Sequence, residues 1–216
     1  KNNQNTTAPE DDVYTLTGSD QSVYTFDYTR KLQSWRNELD YGFNYTYASN
    51  LLYRVTEPTS GRYLQFNYQS GRLASVNDPT SRQVIFGYDA FGDLTSFTDA
   101  RGKTWTYEYD GTSHRLASVV EPSASAGEIL RIVYDAQGRA TEQFDGANQR
   151  IVKITFNTDG TSTIEDALGR EATHSYDHRN TNTGRADTSG YTLQKTYDAN
   201  FRPAQVIDQD NRTLQT

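Results

Sequence analysis

Tyr88-Asp89-Ala90-Phe91-Gly92-Asp93-Leu94-Thr95-Ser96-Phe97, running on through Asp99-Ala100-Arg101-Gly102 into Trp105-Thr106-Tyr107-Glu108-Tyr109-Asp110, decides the fold. Every second residue ahead of the turn is apolar (Val84, Phe86, Tyr88), and Asp-x-x-Gly follows at once. Apolar residues two apart, rich in aromatic and β-branched types, make a strand with one apolar face. A helix would need them three and four apart. Asp at the head of a turn bonds the backbone ahead of it. Gly at its end takes the left-handed conformation that a type I hairpin turn with a bulge requires. The stretch therefore reads as strand, turn, shorter strand, second turn and strand again.

Working outward, the same grammar fills the chain. An aromatic anchor recurs at Tyr28, Tyr47, Tyr68, Tyr88, Tyr109, Tyr134, Phe156, Tyr176 and Tyr197, in steps of 19, 21, 20, 21, 25, 22, 20 and 21 residues. Residues two and four before each anchor form further columns, such as Phe43 with Tyr45 and Leu64 with Phe66; the columns decay at Ala172 with His174 and at Leu193 with Lys195. Turn residues follow the anchors: Asp89 and Gly92, Asp135 and Gly138, Asn157 and Gly160, then Asp198 with Asn200 in the final place. Second turns close each unit at Asp99–Gly102, Asp166–Gly169 and Asp208–Asn211, while Glu57-Pro58 and Asp78-Pro79 use a proline-set φ. Self-similarity at a fixed period is the mark of a repeat architecture. Nine units imply about 17 strands in chain order, and an open twisted sheet rarely passes roughly ten without curling. The expectation is an all-β, continuous antiparallel β-hairpin meander that curls into a spiral or hollow wall.

Composition agrees with a wall one sheet thick. The 216 residues carry a net charge of −7, only 34% are hydrophobic, and 16 are Tyr. Average globular chains reach about 45–50% apolar residues with glycine included. No apolar run of about 18 residues exists to span a membrane as a helix. The aromatic content argues against plain disorder. Cys is absent, which excludes disulfides, thiolate metal sites and a cysteine nucleophile. The acidic balance argues against nucleic acid, whose phosphates call for concentrated Lys and Arg. Met is absent too, so the chain reads as a piece of a longer one whose targeting signal is not included.

The quoted unit resembles a complete repeat of the Rhs or YD-repeat family, Tyr134-Asp135-Ala136-Gln137-Gly138-Arg139 opens a second copy, and the likeness covers about residues 13–216. The resemblance implies an array of about nine YD repeats over 13–216, after a flexible lead-in at 1–12. It implies a β-shell of the kind found in bacterial polymorphic toxins, insecticidal toxin complexes and teneurin-like proteins. The implied role is structural and non-enzymatic: encapsulating or scaffolding a toxin polypeptide in a larger secreted or toxin-associated protein. Its partners would be flanking parts of the longer chain and an encapsulated C-terminal toxin polypeptide. Family shells that release cargo carry catalytic aspartates beside an Asp-Pro-x-x-Gly-Leu-like stretch. Asp78-Pro79-Thr80-Ser81-Arg82 departs from it, so no catalytic residue is carried over. The competing class is a surface adhesion or carbohydrate-binding module, in which exposed rings stack on glycans. Extra residues at Ser123–Gly127, and Asn180–Gly184 in place of a clean turn, read as loop insertions or poorly formed strands.

Other candidates are weaker. His174 and His178 flank Tyr176-Asp177, but residues four apart meet on a helix and not across a strand end, so no metal site is expected. His114 has Asp110 and Ser113 nearby without the order a nucleophile and base require. Asp11-Asp12 and Glu165-Asp166 read as a tail and a turn. Each Gly keeps the turn rhythm, so no phosphate loop is present, and no cofactor is implied.

Overall fold

The structure, a computed structural model, describes residues 12–122 and 127–215. Its fold is all-β, with twenty antiparallel strands and no helix among those residues. The strand count exceeds the seventeen or so expected, because Tyr14–Thr17 before the first anchor and Pro203–Asp208 and Thr213–Gln215 after the last pair as well. By compactness the chain divides into two units, Lys1–Thr104 and Trp105–Thr216.

The first unit holds β1 (Tyr14–Thr17), β2 (Val23–Phe26), β3 (Leu32–Arg36), β4 (Gly42–Ala48), β5 (Leu51–Thr56), β6 (Tyr63–Gln69), β7 (Arg72–Asn77), β8 (Gln83–Tyr88) and β9 (Leu94–Thr98). Each pairs antiparallel with the next. Alternation puts one row of apolar residues on a single face. Tyr24 lies opposite Trp35, Trp35 opposite Phe43, Tyr45 opposite Val55, Phe66 opposite Val76, and Phe86 opposite Phe97. Rings meet at Trp35–Phe43, stacked with centroids 6.0 Å apart, and at Phe86–Phe97, tilted at 5.5 Å. Such cross-strand pairs contribute about 0.2–1 kcal/mol each.

The second unit carries most of β10 (Thr104–Tyr109), then β11 (Leu116–Val120), β12 (Glu128–Tyr134), β13 (Ala140–Asp145), β14 (Arg150–Phe156), β15 (Ser162–Asp166), β16 (Glu171–Tyr176), β17 (Asn182–Asp187), β18 (Thr192–Tyr197), β19 (Pro203–Asp208) and β20 (Thr213–Gln215). Here too each strand pairs with its successor. Its apolar row runs Tyr107, Val119, Leu130, then Val152, Ile154, Ile164 and Ala172, and gives way to His174 opposite Arg185. Across β13, β14 and β15, Arg150 bridges Glu142 at 3.4 Å and Glu165 at 2.5 Å.

Neither unit builds a buried core. Among the described residues Ala172 is the one buried hydrophobic side chain, and the buried polar ones are Ser22, Ser75, Ser118 and Ser162. The chain exposes 14768 Å², where a compact monomer of its mass would expose roughly 10,000 Å². The scarcity of buried side chains fits the low hydrophobic fraction.

Three readings of the sequence shift register. Tyr28 sits in the turn after β2, 47% exposed, and Phe26 occupies the strand-end place that Tyr88 holds later. The reason is visible in the turn: Asp27, not the residue after Tyr28, closes it through Asp27 N–H to Lys31 O. At Asp198 the left-handed place falls on Phe201 (φ 62), one residue beyond Asn200. Asn180 closes a regular turn from Asp177 with φ 60, and β17 begins directly at Asn182, so Asn180–Gly184 is no insertion. Residues 1–11 of the lead-in expected at 1–12, and 123–126 of the loop insertion expected at Ser123–Gly127, lie outside the described residues.

Candidate functional site

The residues that repeat most strictly gather where one hairpin meets the next. Tyr88, Tyr109, Tyr134, Phe156, Tyr176 and Tyr197 each end a strand, while Tyr47 and Tyr68 stand one residue before the end. The register shifts beside seven of the nine anchors; in the β2–β3 hairpin it shifts beside Phe26 and not Tyr28, and the β14–β15 hairpin of Phe156 shows no shift. A bulge bends the strand and re-aims the side chain next to it. Tyr134 Oη thereby donates to Leu116 O of the preceding hairpin at 2.8 Å, and Tyr47 Oη donates to Leu32 O at 3.0 Å. Burial, then the Asp27 carboxylate, pushes the Tyr47 phenol up.

The turn Asp residues are consumed locally. Asp89 Oδ1 accepts from the N–H groups of Phe91, Gly92 and Asp93 at 2.9, 2.8 and 3.0 Å. Asp135 Oδ1 accepts from Gln137 and Arg139, and its Oδ2 from Arg139 Nε at 2.8 Å. Asp198 does the same with Asn200 and Arg202 at 2.8 and 2.9 Å. In the closing turns Asp99 and Asp166 repeat the arrangement with Arg101 and Lys103 and with Leu168 and Arg170. Bonds to the ionised form favour it. At Asp135 the Arg139 backbone N–H leads, and at Asp166 the Arg170 side chain; both carboxyls fall below the usual range. Partial burial opposes ionisation of Asp78 and Asp177, yet hydrogen bonds from Thr80 and Arg82, and from Thr181 and Arg179, hold both at about 2. Glu57 is also held at about 2, first by the Ser60 side chain and then by Thr59.

Gly102, Gly160 and Gly169 fill left-handed turn positions. Gly92 and Gly138 do more. At φ 101 and φ 79, each also faces a guanidinium from the hairpin before it, Arg72 and Arg115 respectively, in the space a Cβ would occupy. Those cations are the part that the sequence reading missed. Arg115 lies 5.6 Å from the Tyr134 ring centroid, Lys31 lies 5.2 Å from Tyr47, and Arg139 lies 4.1 Å from Phe156. A cation over a ring gains about 0.5–1 kcal/mol at exposed sites. The signal was legible as a Lys or Arg one or two residues past the turn, at 31, 72, 115 and 139. A second missed column is serine on the other face: Ser75 and Ser118 lie opposite Asn67 and Glu108 and accept from or donate to them at 3.1 and 3.2 Å.

Chemistry beyond this seam is sparse. His174 lies in β16 beside Arg185, and His178 is exposed in the next turn. Burial, then Arg185 and Lys195, pushes the His174 imidazole down. His114 occupies a loop position at φ 59. Among the described residues no group of three or more His, Asp or Glu is placed to hold a metal ion, and no helix is long and apolar enough to cross a membrane. An open groove of about 550 Å³ has Phe43, Val55 and Leu64 as its floor and the turns at Glu57–Arg62 and Asp78–Arg82 as its rims.

Residues 88–126 match the RHS Repeat family. That stretch is similar to an RHS repeat. Hairpins on either side of the match keep the same Asp-headed turn and the same anchor bonds, so the repeat pattern extends beyond those residues in both units. Among solved structures, TcdB2-TccC3-TEV aligns with a TM-score of 0.60 at 12% identity, covering 87% of this chain and 12% of that one. A mutant Tc holotoxin pore from Photorhabdus luminescens aligns at a TM-score of 0.40 and 12% identity, over 88% of this chain and 15% of that one. The first likeness shows the fold, and this chain spans only 12% of the length of that relative. None of the curated proteins matches.

Proposed function

We propose that this chain is a non-catalytic stretch of β-shell wall that encloses or scaffolds a toxin polypeptide. In this reading it belongs to a larger secreted or toxin-associated protein, with its flanking chain and a C-terminal toxin polypeptide as partners. The observation that carries the proposal is a sheet with hardly any buried side chains, in which residues 88–126 match the RHS Repeat family. Such a sheet cannot act as a globule with a cleft; it acts by extent, as a barrier. The mechanism is steric, the wall keeping a guest polypeptide from solvent and proteases until release. Support for a non-catalytic role comes from the carboxylates of Asp89, Asp135, Asp166 and Asp198, which accept backbone N–H groups of their own turns.

The test is protease protection. The parent protein, with whatever polypeptide follows this chain, is digested and its fragments followed by mass spectrometry. A following polypeptide that survives while the wall is intact, and is cut after the wall is denatured, supports enclosure. Equal digestion rates in both states, or a parent with no such polypeptide, overturn it.

A further inference from the structure

Three Asp-Gly pairs occur in the chain, at Asp110-Gly111, Asp145-Gly146 and Asp159-Gly160. Such pairs can form a succinimide, because Gly offers no side chain to hinder attack by its own backbone nitrogen on the preceding carboxyl. Folding normally prevents this by occupying the carboxyl or the N–H. Asp145 Oδ1 is held by Ala147 N–H and Gln149 N–H, both at 2.9 Å. Asp159 Oδ1 is held by Thr161 N–H at 3.0 Å and Thr161 Oγ1 at 2.7 Å, while Gly160 N–H already donates to Asn157 O at 3.2 Å.

Asp110 differs, and loop length explains why. Its turn closes through Asp110 N–H to Arg115 O, one residue further than Asp89 to Asp93 or Asp135 to Arg139. An Asp side chain that spans the shorter turns reaches no backbone N–H here. Its carboxylate has only Ser113 Oγ at 3.4 Å and Arg115 Nη1 at 3.7 Å, and it is 53% exposed. The other turn of this extended length, Glu57 to Arg62, carries the longer Glu, which does reach Thr59 and Ser60 N–H at 2.8 and 2.7 Å. Gly111 is exposed, has φ 51, and its N–H has no hydrogen-bond acceptor among the described residues.

We propose that Asp110-Gly111 is a self-modification site at which the folded chain converts aspartate to isoaspartate. Gly111 N attacks Asp110 Cγ, a C–N bond forms, and one carboxyl oxygen leaves as water with the amide proton and the acid proton. Water then reopens the imide at the former backbone carbonyl, so the main chain runs through Cγ. No oxidant, metal or partner is consumed, and the net change in mass is zero. The product lengthens the backbone by one carbon at the hairpin joining β10 to β11, next to Tyr109.

The experiment incubates the intact chain at neutral pH and physiological temperature for weeks. Isoaspartate is then located by peptide mapping with electron-transfer fragmentation and by methyl transfer from an isoaspartate-specific methyltransferase. In the folded chain the product is expected at 110, with none detected at 145 or 159; in denatured chain all three pairs should react. Asp110→Glu, which removes the five-membered path and supplies the longer side chain used at 57, should abolish the signal while circular dichroism stays unchanged. Equal reaction at all three sites in folded protein, or none at 110 when the denatured chain reacts there, overturns the assignment. The wild-type comparison stands whether or not the variant folds.

Discussion

Tyr134 shows why a phenol and not just any ring holds the anchor place. Its ring lies under Arg115 while its hydroxyl donates to Leu116 O, so one side chain makes two contacts with the hairpin before it. Phe156 keeps the ring contact, with Arg139, and has no hydroxyl to donate. Tyr134→Phe should therefore remove one part-buried hydrogen bond and little else, a loss of about 1 kcal/mol. For a chain of this size that lowers the thermal midpoint by about 2–4 °C. Circular dichroism melts would show it, and an unchanged midpoint would mean that the ring alone does the anchoring. Phe201 marks the opposite case, a bulky residue at φ 62 whose ring lies 4.5 Å from the Arg179 guanidinium. The left-handed conformation costs roughly 1–2 kcal/mol for a residue with a Cβ, and the stacked cation offsets part of it.

At the level of the hairpin, acid acts through the turn carboxylates. Glu57, Asp78 and Asp177 sit at about 2, and Asp27, Asp99, Asp135, Asp166 and Asp187 are also lowered. The unfolded chain titrates these groups near 4. Their stabilisation is then fully present above about pH 4 and is lost as pH falls through the folded values towards 2. Thermal midpoints measured from pH 5 down to pH 2 should decline across that window; a flat profile would mean the turns hold without ionised caps. Hairpin form was legible in the sequence because strand alternation and Asp-x-x-Gly turns are local signals. Register was less so. Tyr28 satisfies the alternation of β2 as well as Phe26 does, and only the partner of Asp27 N–H decides between them. The seam cations stood in the sequence as a Lys or Arg just past the turn, but their role did not: Arg115 meets Tyr134 across a hairpin, and a single strand's pattern carries no sign of which neighbour covers its ring.

For the chain as a whole, two strands have one free side among the described residues. β1 pairs only with β2, and β20 only with β19. Both carry an exposed leucine, Leu16 and Leu214, each 59% exposed, and neither contains a charged residue or proline. Uncharged edges of this sort template association. The isolated chain should associate with rising concentration in sedimentation velocity runs, and Leu16→Lys should weaken that association. A single monomeric species at all concentrations would show that the edges are guarded by something other than charge.

Strands that bond only to the ones just before and after them have a bearing on how the chain is made. No hairpin waits for a distant stretch to arrive, so each can close soon after it leaves the ribosome, in the order of its synthesis. All-β proteins are usually slow folders because their pairings are far apart along the chain; here they are not. Growth by one more copy of the unit, or loss of one, would leave every earlier hairpin with the neighbours it already had.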